Sequence, residues 1–330
     1  MGNHFFDTGF AWDLDRVDGK AKVTGTAKFA AEHLLSNLAY GVLVGSTVAK
    51  GRIKSLDTKG AEKAPGVLAV LTHLNRPTVP GFEPVDKKAN PEAREWEGLK
   101  VFYTDEIFFN GQPIALVVAD SFERAVFAAA LVKAQYAKEE HQTNFQENRN
   151  KAVTPRGRST YLRGEADAYK KAPVQIEATY STPIEVHNPM EPHAIIAVWE
   201  GERVTVYDKT QGPKDTQNDI IQAFGLPKEN VRAIAEFVGG AFGSALRTWP
   251  HEIAAIMAAK QISRPVKLVI DRTQMFTMVG YRPQTFQKIG IGATGDGKLV
   301  GITHSAIGQT SSYEQFTEGV VNVSRFLYAC

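Results

Sequence analysis

A single cysteine, Cys330 at the last position, supplies all the thiol chemistry of this 330-residue sequence. That excludes an internal disulfide, and it excludes a zinc site or iron–sulfur cluster ligated by cysteines of this chain. Any redox centre other than a bound cofactor is expected on another polypeptide. The lone terminal thiol is also a poor candidate nucleophile, and no Gly-x-Ser-x-Gly elbow is present, so hydrolase classes find no support. No apolar run reaches the roughly 18 residues that a membrane span requires, and Met1 to Phe10 lacks the basic-then-apolar order of a signal peptide. A cytoplasmic protein is expected, or one carried to the periplasm with a partner. A charge excess is missing too: 38 Lys and Arg stand against 36 Asp and Glu, a net +2. Such a balance gives no field to steer nucleic acid or an anionic membrane. Internal repeats and low-complexity segments are absent as well.

What is present is an ordinary globular composition, 43% hydrophobic and 22% charged, long enough to bury a large core in two or more domains. From Arg16 to Tyr136 short apolar runs alternate with turn signals, as in a compact α+β unit. Pro65-Gly66 opens a strand over Val67 to Leu71, and Asn110-Gly111-Gln112-Pro113 turns into the continuous apolar run Ile114 to Ala119. Asp120 and Ser121 cap a helix predicted to carry Phe122, Ala125, Val126, Ala129 and Val132 on one apolar face. The polar stretch 138–173 has little periodicity and reads as a linker. Ala194 to Glu200 and Arg203 to Lys209 form a hairpin. A short helix then starts at Asp215 or Thr216 and stops at Gly225. Val231 to Val238 is a strand that runs into Gly239-Gly240-Ala241-Phe242-Gly243, followed by a helix from about His251 to Gln261 and a strand over Val266 to Ile270. Gln287 to Ile291 and Leu299 to His304 flank a turn at Thr294 to Lys298.

Glycines at a strand-to-helix junction permit unusual dihedrals and let backbone N–H groups approach a ligand, although for an isolated cluster a tight packing turn is the better explanation. The cluster lacks the lysine and Ser/Thr of a phosphate loop, and its spacing does not match the dinucleotide fingerprint. Gln211-Gly212-Pro213 ends the strand one strand–helix–strand unit earlier, so both segments are expected to face one cleft, where a glutamine amide donates without adding charge. His187, Glu191 and His193 are the only clustered potential metal ligands. Pro189 and Pro192 break any helix that would align them, so a hydrogen-bonded turn is expected there and no direct metal ligand.

Five segments in order resemble the large subunit of the xanthine dehydrogenase/aldehyde oxidase family, the molybdenum hydroxylases. They are Arg16 to Gly25, Gly51 to Leu71 together with Ile107 to Tyr136, Glu177 to Trp199 with its Asn188-Pro189-Met190-Glu191-Pro192-His193, Gln211-Gly212-Pro213, and Gly239 to Gly243. The resemblance implies an α+β chain: an N-terminal segment and a/b hammerhead domain over 1–137, a linker over 138–173, and over 174–330 the first part of a mixed α/β molybdopterin-binding domain. It implies a molybdenum–pterin cofactor, in a dinucleotide form, contacted by Gln211, Gly212, Gly240, Ala241, Phe242 and Gly243. Gln211 would hydrogen-bond the apical oxo ligand, and the loop around Phe242 would line the metal and its dithiolene. Arg325 aligns with an arginine that orients substrate in some members, and a surface arginine is the alternative.

Three departures qualify the resemblance. Leu246 stands where purine-oxidising members have glutamate, which favours an aldehyde or apolar heteroaromatic substrate over xanthine. Ala241 and Ala245 replace a common glycine and lysine. The catalytic glutamate of the family lies in a C-terminal half outside this sequence. The expected function is oxidation of such a substrate with water as oxygen source, with electrons leaving to iron–sulfur and FAD subunits. The chain alone is expected to be incomplete and inactive. A non-catalytic fragment, or one half of a split subunit, is the alternative.

Overall fold

The computed structural model describes residues 16–86, 88, 95–155, 157 and 160–328; Cys330 and the Met1 to Phe10 segment lie outside the described residues. Thirteen strands follow in chain order. They are β1 (Ala39–Gly45), β2 (Gly51–Asp57), β3 (Val67–Thr72), β4 (Glu106–Ile107), β5 (Pro113–Ala119), β6 (Lys133–Lys138) and β7 (Val174–Thr182). After these come β8 (Ala194–Glu200), β9 (Arg203–Asp208), β10 (Val231–Ile234), β11 (Val266–Val269), β12 (Thr285–Ala293) and β13 (Leu299–Gly308). The longest helices are α1 (Phe122–Ala129), α2 (Pro213–Phe224), α3 (Pro250–Ile262) and α4 (Arg272–Met278).

Seven strands form one mixed sheet in the order β10-β9-β8-β11-β1-β5-β3. β1 runs parallel to β11, with Ala39 opposite Val266, so this sheet joins strands from both ends of the chain. Its burial explains the unbroken apolar run of β5: every residue from Pro113 to Ala119 is buried, because β5 lies between β1 and β3 with both faces covered. α3 is buried along most of its length against β8 and β11. A helix apolar on all sides belongs inside a core, which makes its polar first turn, His251 and Glu252, conspicuous. Two three-stranded sheets, β13-β12-β7 and β4-β2-β6, use the remaining strands.

Differences from the sequence expectations have local causes. α1 buries Ala125 and Ala128 rather than the large residues: Phe122, Val126 and Phe127 are exposed. Ala125 is buried and Ala129 and Val132 pack toward Ala61, Val70 and Val117, so the predicted stripe fails only at Phe122 and Val126, which lie on the solvent side. α2 begins at Pro213, with Gly212 before it, earlier than Asp215; a proline costs nothing at the first helical position, where its missing N–H has no partner anyway. Gly225 closes α2 in the left-handed region, φ +62°, as expected. β10 stops at Ile234, short of Val238, where the chain leaves its partner β9 and turns toward the glycines. The polar stretch 138–173 carries a short helix, Phe145–Asn148, and buries Phe145 and Tyr169.

Candidate functional site: a loop pair at the ends of parallel strands

β9 and β10 are parallel neighbours, with Val204 opposite Val231 and Tyr207 opposite Ile234. The chain therefore leaves both strands at the same edge, the position where open α/β sheets bind ligands. Lys209 to Gly212 follows β9, and Gly239 to Gly243 comes after β10. The two segments touch, as the sequence predicts. The Gln211 backbone N–H donates to the Ala245 carbonyl at 2.8 Å, and the Gly243 N–H donates to Gln211 Oε1 at 2.9 Å. Gly243 offers a donor, so the amide atom facing it must be the oxygen. The Gln211 NH₂ is thereby fixed on the other side of the exposed side chain.

The glycine loop alternates between inward and outward groups. Ala241, Ser244 and Ala245 are buried, whereas Phe242 is 68% and Leu246 55% exposed. The alanines that depart from the family pattern thus fill core space. Gly240, Phe242 and Gly243 all have positive φ, +90°, +58° and +102°. For Phe242 this is the left-handed region that side chains disfavour. Buried polar groups hold the inner side. Glu191 Oε2 accepts from the Gly239 N–H at 2.6 Å, and the Glu191 N–H donates back to the Gly239 carbonyl. Ser244 Oγ donates to the Ala241 carbonyl and lies 2.9 Å from His193 Nε2. With the hydroxyl proton so used, His193 must donate from Nε2, which leaves Nδ1 with a lone pair. Trp249 Nε1 donates to the Ser244 carbonyl at 2.6 Å.

Beneath the loop lies a buried polar chamber. His193, His251, Glu252, Asp208 and Lys209 are each 0–1% exposed. Desolvation lowers the His193 pKa to about 2 and that of His251 to about 3, so both rings are neutral. Burial likewise raises Asp208 and Glu252 above the usual carboxylate range, and it lowers Lys209 to about 8. The sequence reading grouped His193 with His187 and Glu191 by proximity along the chain. The fold instead sets it against His251 and Glu252 at the start of α3, residues that a helix pattern had absorbed into a core face.

Arg325 sits elsewhere. It belongs to the short helix Ser324–Leu327, its guanidinium stacks 4.7 Å above the Tyr161 ring, and Ser324 bonds His304 of β13. These contacts place it beside the three-stranded sheet, and none reaches the loop pair.

A mixed α/β core that presents two loops at the carboxyl ends of adjacent parallel strands defines the class of the protein. Comparison with known sequences gives the family. Residues 24–140 match the aldehyde oxidase and xanthine dehydrogenase a/b hammerhead domain, and residues 141–328 match the molybdopterin cofactor-binding domain. The chain belongs to the aldehyde oxidase/xanthine dehydrogenase family of molybdopterin-binding proteins. It is 38% identical to the aldehyde oxidoreductase molybdenum-binding subunit PaoC of Escherichia coli, over 88% of this chain and 39% of that protein. It is 27% identical to the putative xanthine dehydrogenase molybdenum-binding subunit XdhA of the same organism, over 90% of this chain and 41% of that one. Among solved structures, aldehyde oxidoreductase from Desulfovibrio gigas superposes with a TM-score of 0.72 at 25% identity, covering 89% of this chain and 34% of that protein. Quinoline 2-oxidoreductase from Pseudomonas putida gives the same score at 21% identity and 38% coverage, a likeness of fold alone. The chain thus spans about two fifths of the length of these curated relatives. No described helix is long and apolar enough to cross a membrane.

Proposed function

We propose that this chain supplies one wall of a molybdenum hydroxylase active site that oxidises an aldehyde or an apolar heteroaromatic substrate, with water as oxygen source. The observation that carries this reading is the Gln211–Gly243 hydrogen bond, which ties the Gln211 amide to the loop bearing the exposed Phe242 and leaves its NH₂ as a neutral donor. A molybdenum–pterin cofactor, when bound, supplies the two-electron redox chemistry. The residues present suit it. A Cβ at Gly243 would stand in ordinary contact with His187, 3.5 Å from Nε2, so the fit rests on the outward Gln211 amide and the exposed Phe242. Gln211, Gly212, Gly240, Ala241, Phe242 and Gly243 would hold the group. Gln211 would donate to an anionic oxygen of it without adding charge, and Phe242 would pack against its apolar surface. Leu246 offers apolar contact to substrate. Arg325, standing with Tyr161, fits a surface role better than a substrate contact.

Three carboxylates beside the loop each have a structural partner. Glu191 takes the Gly239 N–H, Glu252 takes the Trp249 N–H, and Glu314 pairs with Arg247. That supports a general base from another part of the assembled enzyme. It also supports electron acceptors of the iron–sulfur and FAD kind on partner chains. A second reading, one half of a split subunit, is favoured by the apolar side chains left outward: Met190 is 87% and Phe326 82% exposed. The test is to purify the tagged chain with whatever accompanies it, and to measure molybdenum per chain and the oxidation of benzaldehyde and xanthine with an artificial acceptor. Molybdenum with benzaldehyde turnover in a complex is expected, and neither is expected of the chain alone. A complex devoid of molybdenum would overturn the proposal, and stoichiometric metal with turnover in the isolated chain would overturn its incompleteness.

A further inference from the structure

We infer that His193, His251 and Glu252 form a buried site for a structural divalent cation of the zinc class, beneath the glycine loop and separate from the cofactor cleft. One donor atom from each of the three lies within 4.8 Å of the others, and His251 Nε2 is 3.8 Å from Glu252 Oε1. Ligands around a tetrahedral ion at bond lengths near 2.0–2.1 Å stand about 3.4 Å apart, so small side-chain rotations close the set.

Each side chain is either prepared to bind or has no protein partner. His193 gives Nε2–H to Ser244, whose hydroxyl goes on to the Ala241 carbonyl, and Nδ1 has no partner although the residue is 0% exposed. An imidazole with one nitrogen anchored and the other free is the arrangement found around protein-bound metals. Glu252 is held the same way: Oε2 accepts from the Trp249 N–H at 2.5 Å, and Oε1 faces His251. Both nitrogens of His251 are buried without a partner. Buried polar atoms without partners are costly, and an ion is one of the few occupants that repays them. Two histidines and a carboxylate are a borderline-soft set suited to zinc, and the fourth position falls to water.

Charge points the same way. Lys209 is the buried cation of the chamber, with Arg272 acting on it from nearby, and Glu191, Asp208 and Glu252 are the carboxyl groups that act on it. Three carboxyl groups thus stand against two cations, an excess of acidic groups that favours a cation over an anion here. Lys209 nevertheless opposes the ion locally, and its Nζ has no partner. Removing that ammonium should therefore tighten binding.

The test uses the full chain, stripped with a chelator and titrated with Co²⁺, whose visible bands report four-coordination. One Co²⁺ per chain is expected, displaced by Zn²⁺. Glu252→Gln and His251→Gln should each weaken it about 100-fold or more, and Lys209→Met should strengthen it. Circular dichroism and the unfolding midpoint of the metal-free variants establish that they are folded. Should either variant fail to fold, X-ray absorption on the Zn²⁺-loaded unaltered chain decides, two imidazoles in the shell being expected. No retained Co²⁺, binding indifferent to both substitutions, or fewer than two imidazoles would overturn the site. Elemental analysis counts zinc and molybdenum separately, so its failure is distinct from failure of the proposed enzyme activity.

Discussion

Replacing Phe242 with glycine separates what the fold needs from what the site needs. The residue is held at φ +58°, a conformation that costs a side-chain-bearing residue about 1–2 kcal/mol. Its ring is 68% exposed. Of the roughly 1.5–3 kcal/mol that full burial of such a side chain gives, only about a third, some 0.5–1 kcal/mol, is therefore at stake. Glycine adds freedom to the unfolded chain and so takes back about 0.5–1 kcal/mol. Gain and losses cancel to within about 1 kcal/mol. The comparison is Phe82→Ala, whose ring is fully buried with Trp96 and Tyr103 around it; that change should cost about 3–5 kcal/mol. Urea unfolding of both variants checks the stability, and molybdenum content of the assembled enzyme checks the function, which Phe242→Gly should impair. A loss of about 3 kcal/mol or more for Phe242→Gly, as for a core phenylalanine, would refute the reasoning. The ring would then be a structural element, and the left-handed backbone would not be strain maintained for a ligand.

Gln211→Glu keeps an oxygen for the Gly243 N–H but removes the outward NH₂; aldehyde turnover of the assembled enzyme should fall about 10²–10³-fold, and near-normal turnover would show that the donor is not used. Leu246→Glu should leave the chain's stability within about 0.5 kcal/mol, as at other exposed positions, and move the rate ratio from benzaldehyde toward xanthine; faster xanthine turnover by the unaltered enzyme would contradict the reading of Leu246. Gly290→Ala places a methyl 2.5 Å from the Tyr169 ring and should cost about 1–3 kcal/mol, whereas an unchanged melting temperature would mean that Tyr169 yields freely. Burial holds the His304 pKa below 6.5, while Nδ1 and Nε2 bond Ser324 and Gln287. The unfolded chain thus takes up the proton first, and this residue's contribution is present above pH 6.5 and is lost as pH falls below it through the lower folded value. An NMR titration of His304 at or above the ordinary value would contradict it.

The sequence made the strands legible where the pattern was local. The run Ile114 to Ala119 reads as a strand buried on both faces, and β5 is one. The hairpin of β8 and β9 and the glycine that ends α2 are likewise local signals. The meeting of Gln211 with the glycine loop was legible because both segments follow strands of one strand–helix–strand unit, and parallel pairing sends them to the same edge. What was not legible is long-range. The pairing of β1 with β11 joins Tyr40 to Lys267 across most of the chain, and no periodicity announces it. His251 and Glu252 were unreadable for another reason. In sequence they occupy the first turn of an apolar helix, where glutamate normally caps a backbone N–H, as Glu252 indeed does. Only the approach of His193, from the segment that leads into β8, turns a capping residue and a helix-start histidine into a cluster.

The geometry of the loop follows from this division between its two sides. A residue in the left-handed region persists only where its surroundings over-determine it. Here three side chains from two segments each take one group of the loop: Glu191 the Gly239 N–H, Gln211 the Gly243 N–H, and His193 the Ser244 hydroxyl. At about 1 kcal/mol for each such bond, together they outweigh the strain at Phe242. Two of the three residues, Glu191 and His193, are drawn from the Asn188 to His193 segment, whose prolines deny it a helix. The feature that argued against a metal site in that segment therefore has a positive use. An extended, proline-stiffened strip can run beneath the loop and offer alternate side chains upward, which a helix, with neighbours three and four residues apart on one face, does not do.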